Sequence, residues 1–327
     1  MTTGKVLDFR QNAFYIELAR YQALRDTTGD TAGLERFLFS SERRFDQENS
    51  FALLVAVYNE QGAFYRSIER YRLSIASYKK AQKLIEKLMG RSCEEYATLL
   101  NNMAGTYRLA GQYPEAAKLF EEALRIYEEL GIGGEGADEE ELYMPACVHN
   151  NLGQVLRETG KILPAICHLK IALAPIQNMP LHLQEAGLIY SNLTTLYQQT
   201  GNLEEAEKCL DKALAIFETV TMERDTQCIK AMGSLAGFLC GIGDYERAVR
   251  VYKKAANDTA VSRRNTEEYA ALCQGLYWVY RKNGDDSSAI KALDEAVDVL
   301  VKVFGENSER VKMVKEEQSR LLKDKVV

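Results

Sequence analysis

At 327 residues, 46% hydrophobic and 27% charged, the chain can bury a sizeable core, and no run approaches the roughly 18–20 apolar residues of a transmembrane helix. Its net charge of −6 argues against general nucleic-acid binding, which needs a basic surface. The seven cysteines are scattered and contain no CxxC pair. Most sit in helical patterns, where they read as small hydrophobes, and a reducing cytoplasm fits them best.

The opening MTTGKVLDFRQ lacks the basic-then-apolar order of a signal peptide. Residues 5–26 place Phe9, Ala13, Ile16, Leu18, Ala19 and Leu24 broadly on one side, which predicts an amphipathic helix. Thr27-Thr28-Gly29-Asp30 breaks it, and Leu34, Phe37 and Leu38 begin another. Residues 1–49 read as a degenerate helical pair that caps the array behind it. A first full repeat follows at about residues 50–90, with Glu69 at its turn and Ser74 at a small-residue position.

Residues 99–130, LLNNMAGTYRLAGQYPEAAKLFEEALRIYEEL, are the template that the rest of the chain repeats. Ala104, Tyr107, Gly111, Tyr113, Ala116, Phe120 and Ala123 fall where two antiparallel helices need small or flat residues. Gly111 suits the left-handed end of the first helix, and Pro114 the first turn of the second. The second alanine recurs as Ala81, Ala123, Ala172, Ala213, Ala255 and Ala296, at intervals of 42, 49, 41, 42 and 41. The turn residues are Glu69, Gly111, Gly160, Gly201, Gly243 and Gly284.

After the template, GIGGEGADEEE at residues 131–141 accounts for the one long interval and reads as a solvated acidic loop. Its alternatives are a tolerated insertion and an acidic lip. Further repeats are expected at about 142–177, 184–218, 226–258 and 265–302. Residues 304–327 then provide a closing helix, sparse in apolar residues, with Asn307 or Ser308 as its cap. The chain reads as about fifteen helices and no strands.

These residues resemble the tetratricopeptide repeat, in the longer form of roughly 42 residues found in kinesin light chains, over about residues 50–303. The chain is also similar to bacterial cytosolic repeat proteins of no assigned role. The fold class expected is all-α: a right-handed α-solenoid of six such helix pairs with capping helices at each end. The resemblance is specific for fold and weak for function, because such arrays serve many partners.

In tetratricopeptide arrays one side of each first helix lines the inner groove, which in the template implies Thr98, Asn102, Gly105 and Leu109. Nine residues before each turn the array reads Glu60, Asn102, Asn151, Asn192, Ser234 and Gly275. Three successive asparagines resemble the ladder with which related repeats hold a peptide backbone. One carboxamide can donate to a peptide carbonyl and accept from its N–H. The alternative is that these asparagines bond locally. Three residues before the turn stand Arg66, Arg108, Arg157, Gln198, Cys240 and Arg281. With Gln154, Gln199 and Lys282 they make a basic, amide-rich face in an acidic protein, suited to an acidic or C-terminal segment. Those arginines can equally pair with acids of the neighbouring repeat.

Trp278 falls at a groove position and is a candidate ligand contact, whereas Tyr277 falls at a packing position. Cys147, His149, Cys167 and His168 share one repeat, but their spacing matches no structural zinc pattern, so no metal and no cofactor is expected. No phosphate loop, nucleophile–base pair or carboxylate dyad is visible. The reading is a cytoplasmic, non-catalytic adaptor binding an extended, acidic protein or peptide, with no nucleic-acid or membrane partner and self-association left open. A sensor of a signalling peptide is the second reading. Residues 1–49 are too short for the N-terminal DNA-binding or effector domain such sensors carry, which argues against a transcription factor. An enzyme on a helical scaffold is the third.

Overall fold

A computed structural model describes residues 13–134, 136–220, 226–263 and 266–324, and every regular element among them is helical. The chain forms two compact units, one ending at His168 and one beginning at Leu169. In chain order the helices are α1 (Ala13–Thr28), α2 (Thr31–Gln47), α3 (Phe51–Ser67), α4 (Tyr71–Leu88), α5 (Glu94–Leu109), α6 (Tyr113–Leu130), α7 (Glu139–Glu158) and α8 (Ile162–Ile176). A short 3-10 turn (Pro180–His182) leads into α9 (Leu183–Gln199), α10 (Leu203–Thr219), α11 (Thr226–Gly241), α12 (Tyr245–Arg263), α13 (Glu267–Lys282), α14 (Asp286–Phe304) and α15 (Glu309–Asp324).

From α3 onward each helix pair is closed by the same backbone device. At Gly111 the glycine N–H donates to the Arg108 carbonyl at 3.0 Å, and the Gln112 N–H to the Tyr107 carbonyl at 2.9 Å. That 6→1 bond needs a left-handed residue, which Gly111 supplies at φ 73°. The pattern recurs at Gly160, Gly201, Gly243 and Gly284. Glu69 makes it too, at φ 60°, despite its side chain. The residues three before each turn thus give their carbonyls to the turn.

Between paired helices the expected small residues vanish from solvent. Ala104, Ala116 and Ala123 are each 0% exposed, with Phe120 filling the space beside them. In the preceding pair Gly62 and Tyr78 take the places of Ala104 and Phe120. A Cβ on Gly62 would lie 2.5 Å from the Tyr78 ring. Ser74, buried where Ala116 stands in the template, satisfies its hydroxyl by donating to the Gly62 carbonyl at 2.7 Å and lying 3.0 Å from Thr106 Oγ1.

Two expectations change. In α1 the buried side is Phe14 and Leu18, while Ile16 and Leu24 are exposed; Phe9 lies outside the described residues. Phe14 and Tyr21 stack on Phe37 of α2, so aromatic pairing rather than the aliphatic stripe sets the orientation. The first pair shares its core with α3, through Phe14, Leu34, Phe37, Phe45, Leu54 and Phe64. The acidic loop is also shorter than 131–141. Asp138 caps α7 by accepting from the Glu141 N–H at 3.0 Å, and Glu139, Glu140 and Glu141 form the first helical turn. Acidic side chains are stabilised there by the helix dipole.

In the unit beginning at Leu169, α13 and α14 pack through Tyr277, Ala289 and Leu293. The closing helix α15 adds Val314 to that cluster, buries Val311 and accepts the Tyr277 hydroxyl on Glu317 at 2.6 Å. No helix among the described residues is long and apolar enough to cross a membrane.

Candidate functional site

In the first unit the positions three residues before each turn bring Arg66 of α3, Arg108 of α5 and Arg157 of α7 onto successive first helices. The α3–α5 and α5–α7 helices touch directly. Arg66 reaches across to α5, where its Nη1 donates to the Asn102 carbonyl at 3.2 Å. The same atom would lie 3.3 Å from a Cβ on Gly105, so the glycine opens the space that the guanidinium occupies. Arg157 donates through Nη2 to Glu158 Oε1 at 2.7 Å.

Arg108 is the most constrained of the three. Its Nε is buried and has no hydrogen-bond partner. Burial pushes the guanidinium below its ordinary range; the charges of Arg157 and Arg66 push the same way, and Glu158 opposes them. An unmatched buried donor on a charged group is costly, and native proteins hold few of them.

The two first-unit asparagines of the expected ladder behave differently. Asn151 Nδ2 donates to Asn101 Oδ1 of the preceding repeat at 3.0 Å, which ties α7 to α5. Asn102 is half-buried, and its carbonyl, rather than its carboxamide, is engaged by Arg66 and by Thr106. Gln154 donates to Asn150 Oδ1 at 3.4 Å. The preceding register position carries Glu60, a half-buried carboxylate whose pKa is raised by burial and which accepts from Gln22 of α1 at 3.3 Å.

Sequence reasoning missed Asn101 as a partner and Gly105 as a cradle. The doubled Asn101-Asn102 and Asn150-Asn151 were the available signal for the first. Nothing in the pattern announces that a neighbouring arginine lies over Gly105.

The remaining expected residues lie in the second unit. Asn192 is half-buried on α9, with Gln198 and Gln199 exposed at the end of that helix. Arg281 donates to Asp286 Oδ1 at 2.7 Å, so its charge is partly spent at its own turn, and Lys282 is exposed beside it. Trp278 is 55% exposed, while Tyr277 is buried with its ring 5.0 Å away. Small residues leave a cavity of about 500 Å³ between α11 and α13, lined by Gly233, Ser234, Tyr252, Glu268 and Leu272. Glu268 faces Lys230 across its mouth at 3.7 Å, and Gly275 is required because a Cβ there would lie 2.4 Å from the Tyr252 ring.

His149 and His168 meet with their Nδ1 atoms 2.8 Å apart. The ring centres are 5.1 Å apart, so the two nitrogens point at one another along the line of centres. That is the geometry of a shared proton. Two ligands of one metal ion would converge on it at an angle. Cys167 is exposed beside His168 on α8.

Residues 53–129 and 185–257 match the tetratricopeptide repeat family. Among curated proteins the chain is 21% identical over 254 residues to kinesin light chain-related protein 2 of Arabidopsis thaliana, covering 76% of this chain and 37% of the relative. It is 22% identical to kinesin light chain-related protein 3 of the same plant, covering 59% and 35%. The chain therefore spans about a third of the length of these relatives. Among solved structures BtubC (BKLC) of P. vanneervenii aligns at 18% identity with a TM-score of 0.56, over 77% of this chain and 94% of that one. A Rap protein complexed with Competence and Sporulation Factor aligns at 17% identity with a TM-score of 0.57, over 98% and 89%. The apo form of RapI aligns at 14% identity with a TM-score of 0.61, over 89% and 99%. At these identities the structures speak for the fold alone. With its turn glycines, its packed alanines and a period near 42 residues, the chain carries tetratricopeptide repeats over residues 53–129 and 185–257, similar to those of the kinesin light chain-related proteins.

Proposed function

We propose that the protein is a non-catalytic adaptor that binds an extended acidic segment of another protein along the first helices of its first unit, α3, α5 and α7. The observation that carries this reading is half-buried Arg108, whose Nε is buried and unmatched and whose neighbours are Arg66 and Arg157. A carboxylate seated there would accept from the orphaned donor and relieve the repulsion among the arginines. Asn102 and Asn151 lie on the same helices and would meet the peptide backbone; Asn151 keeps its carbonyl oxygen as an acceptor while its amide holds Asn101. Neighbouring repeats lie roughly 10 Å apart and an extended chain advances about 3.3 Å per residue, so the two asparagines would serve about every third ligand residue. Scattered cysteines with no CxxC pair fit a cytoplasmic setting for this adaptor.

A sensor of a signalling peptide is the second reading. It is favoured by the solved Rap protein, of the same fold, which holds Competence and Sporulation Factor. The two readings share one groove and differ in what happens after binding.

The test is selection of random peptides displayed against the wild-type protein, with counter-selection on Arg66→Gln/Arg157→Gln. Acid-rich segments should be enriched by the wild type and weakened at least about tenfold in the double variant, since each charged hydrogen bond contributes roughly 1.5–3 kcal/mol. The loss should shrink as salt rises. Enriched peptides without acidic residues, or ones that bind both proteins equally, would overturn the reading.

A further inference from the structure

The register position that holds Asn102 in α5 and Asn151 in α7 holds Glu60 in α3, the one acidic residue of that helix. Its carboxylate is half-buried and forms no ion pair among the described residues; its polar partner is the neutral Gln22 of α1, at 3.3 Å. Arg66, the one base of α3, stands six residues on and projects about 120° further round the helix. It turns to α5 and the Asn102 carbonyl, so the two charges of α3 are not joined. Burial lifts the Glu60 carboxyl above its ordinary range, with no cation acting against it. Asn59, next in sequence, holds a buried Oδ1 that also lacks a donor. At the following seam the equivalent place is filled, because Asn101 Oδ1 accepts from Asn151 at 3.0 Å. The Tyr78 hydroxyl, packed against Gly62 of the same helix, is buried without a partner and feels the Glu60 charge. A half-buried carboxylate without a counter-charge costs stability, and such groups concentrate where ligands bind.

We propose that Glu60 is a cation subsite of the first unit: it receives the ammonium or guanidinium head of a basic residue in the bound segment, about four residues from the acid that meets Arg108. The inference rests on the reading above, that an extended segment lies along α3, α5 and α7, and adds to that segment a basic residue. A neutral polar group would bond the carboxylate and leave its charge unanswered. A lysine or arginine supplies donor and counter-charge together, at the end of a stem long enough to reach a half-buried group. The spacing follows from the helices. Glu60 and Arg108 stand on adjacent first helices, roughly 10 Å apart, and six register positions, roughly 9 Å, apart along them. An extended chain covers that diagonal, roughly 13 Å, in about four residues.

The test uses labelled, N-acetylated peptide pools that fix one aspartate and, about four residues to either side of it, lysine or acetyl-lysine, with the other positions random. Binding is read by fluorescence anisotropy. In the better of the two orders, the lysine pool should bind the wild type at least about tenfold more tightly than its acetyl-lysine counterpart, as expected for one charge-assisted bond shielded from bulk water. Glu60→Gln, which keeps an acceptor for Gln22, should abolish that preference and leave binding of the acetyl-lysine pools unchanged. Its melting temperature should be no lower than that of the wild type, because burial disfavours the charged carboxyl. A clear fall in melting temperature, or failure to fold, would assign the carboxylate to the packing and overturn the proposal. So would a lysine preference that survives Glu60→Gln. A lysine moved to about eight residues from the aspartate should give no such gain; an equal gain there would show general attraction to an acidic protein, and would also overturn it. Equal binding of lysine and acetyl-lysine pools by the wild type overturns the cation subsite while leaving the acidic-segment reading intact. Binding of neither pool removes both.

Discussion

His149 and His168 hold a single proton between two half-buried rings, one nitrogen donating and the other accepting. Burial pushes His149 down to about 4, with the His168 charge acting the same way. Burial also lowers His168, against the pull of Glu121. The consequence for stability has a definite sign. Above pH 6.5 both rings are neutral in the folded and unfolded chain, so the pair costs nothing. As pH falls from 6.5 toward 4, the unfolded chain takes up protons that the folded pair refuses, and stability is lost over that window. Screening at half-exposed rings reduces the effect to about 1–2 kcal/mol. The urea midpoint should therefore drop between pH 7.5 and pH 5 in the wild type, and drop less in His149→Leu/His168→Leu. Equal pH slopes in the two proteins would assign the loss to other groups.

At the scale of the helix pair, the turn is the unit that repeats, and Glu69 is its exception. The left-handed conformation costs a side-chain-bearing residue roughly 1–2 kcal/mol, partly offset because glycine frees the unfolded chain. Glu69→Gly should stabilise the protein by about 0.5–1 kcal/mol, read as a raised melting temperature. A lowered one would mean that the Glu69 side chain has a role the turn geometry does not reveal. Helix pairs and turns were legible in the sequence because small residues and glycines recur at fixed intervals, and each copy confirms the others. The face of α1 was not, because it stands outside the repeat and its aromatic and aliphatic stripes compete. The residues from Asp138 to Glu141 were misread for another reason. Acidic composition suggests a solvated loop, yet the same residues suit a cap and first helical turn. At the candidate site the arginines could be found by register. The crossing of Arg66 over Gly105 depends on a side-chain path between repeats, which no periodicity encodes.

For the molecule as a whole, an array of this kind has no single centre, and its stability is close to a sum of local repeat and neighbour terms. The closing helix α15 tests that locality. It covers one end of the second unit through buried Val311, half-buried Val314 and the Glu317 carboxylate that receives the Tyr277 hydroxyl. Removing residues 306–327 withdraws a buried valine, worth roughly 1.5–3 kcal/mol, and exposes the apolar side of α14. It also leaves the Tyr277 hydroxyl without its acceptor, which adds on the order of 1 kcal/mol. The truncated protein should lose amide hydrogen-exchange protection in α13 and α14 and gain a tendency to associate through the uncovered surface. Protection in α3, α4, α5 and α6 should remain that of the full chain, because none of their buried partners has been touched. Loss of protection in both sets together would show that the chain unfolds as one cooperative block, and the local account of its stability would fail.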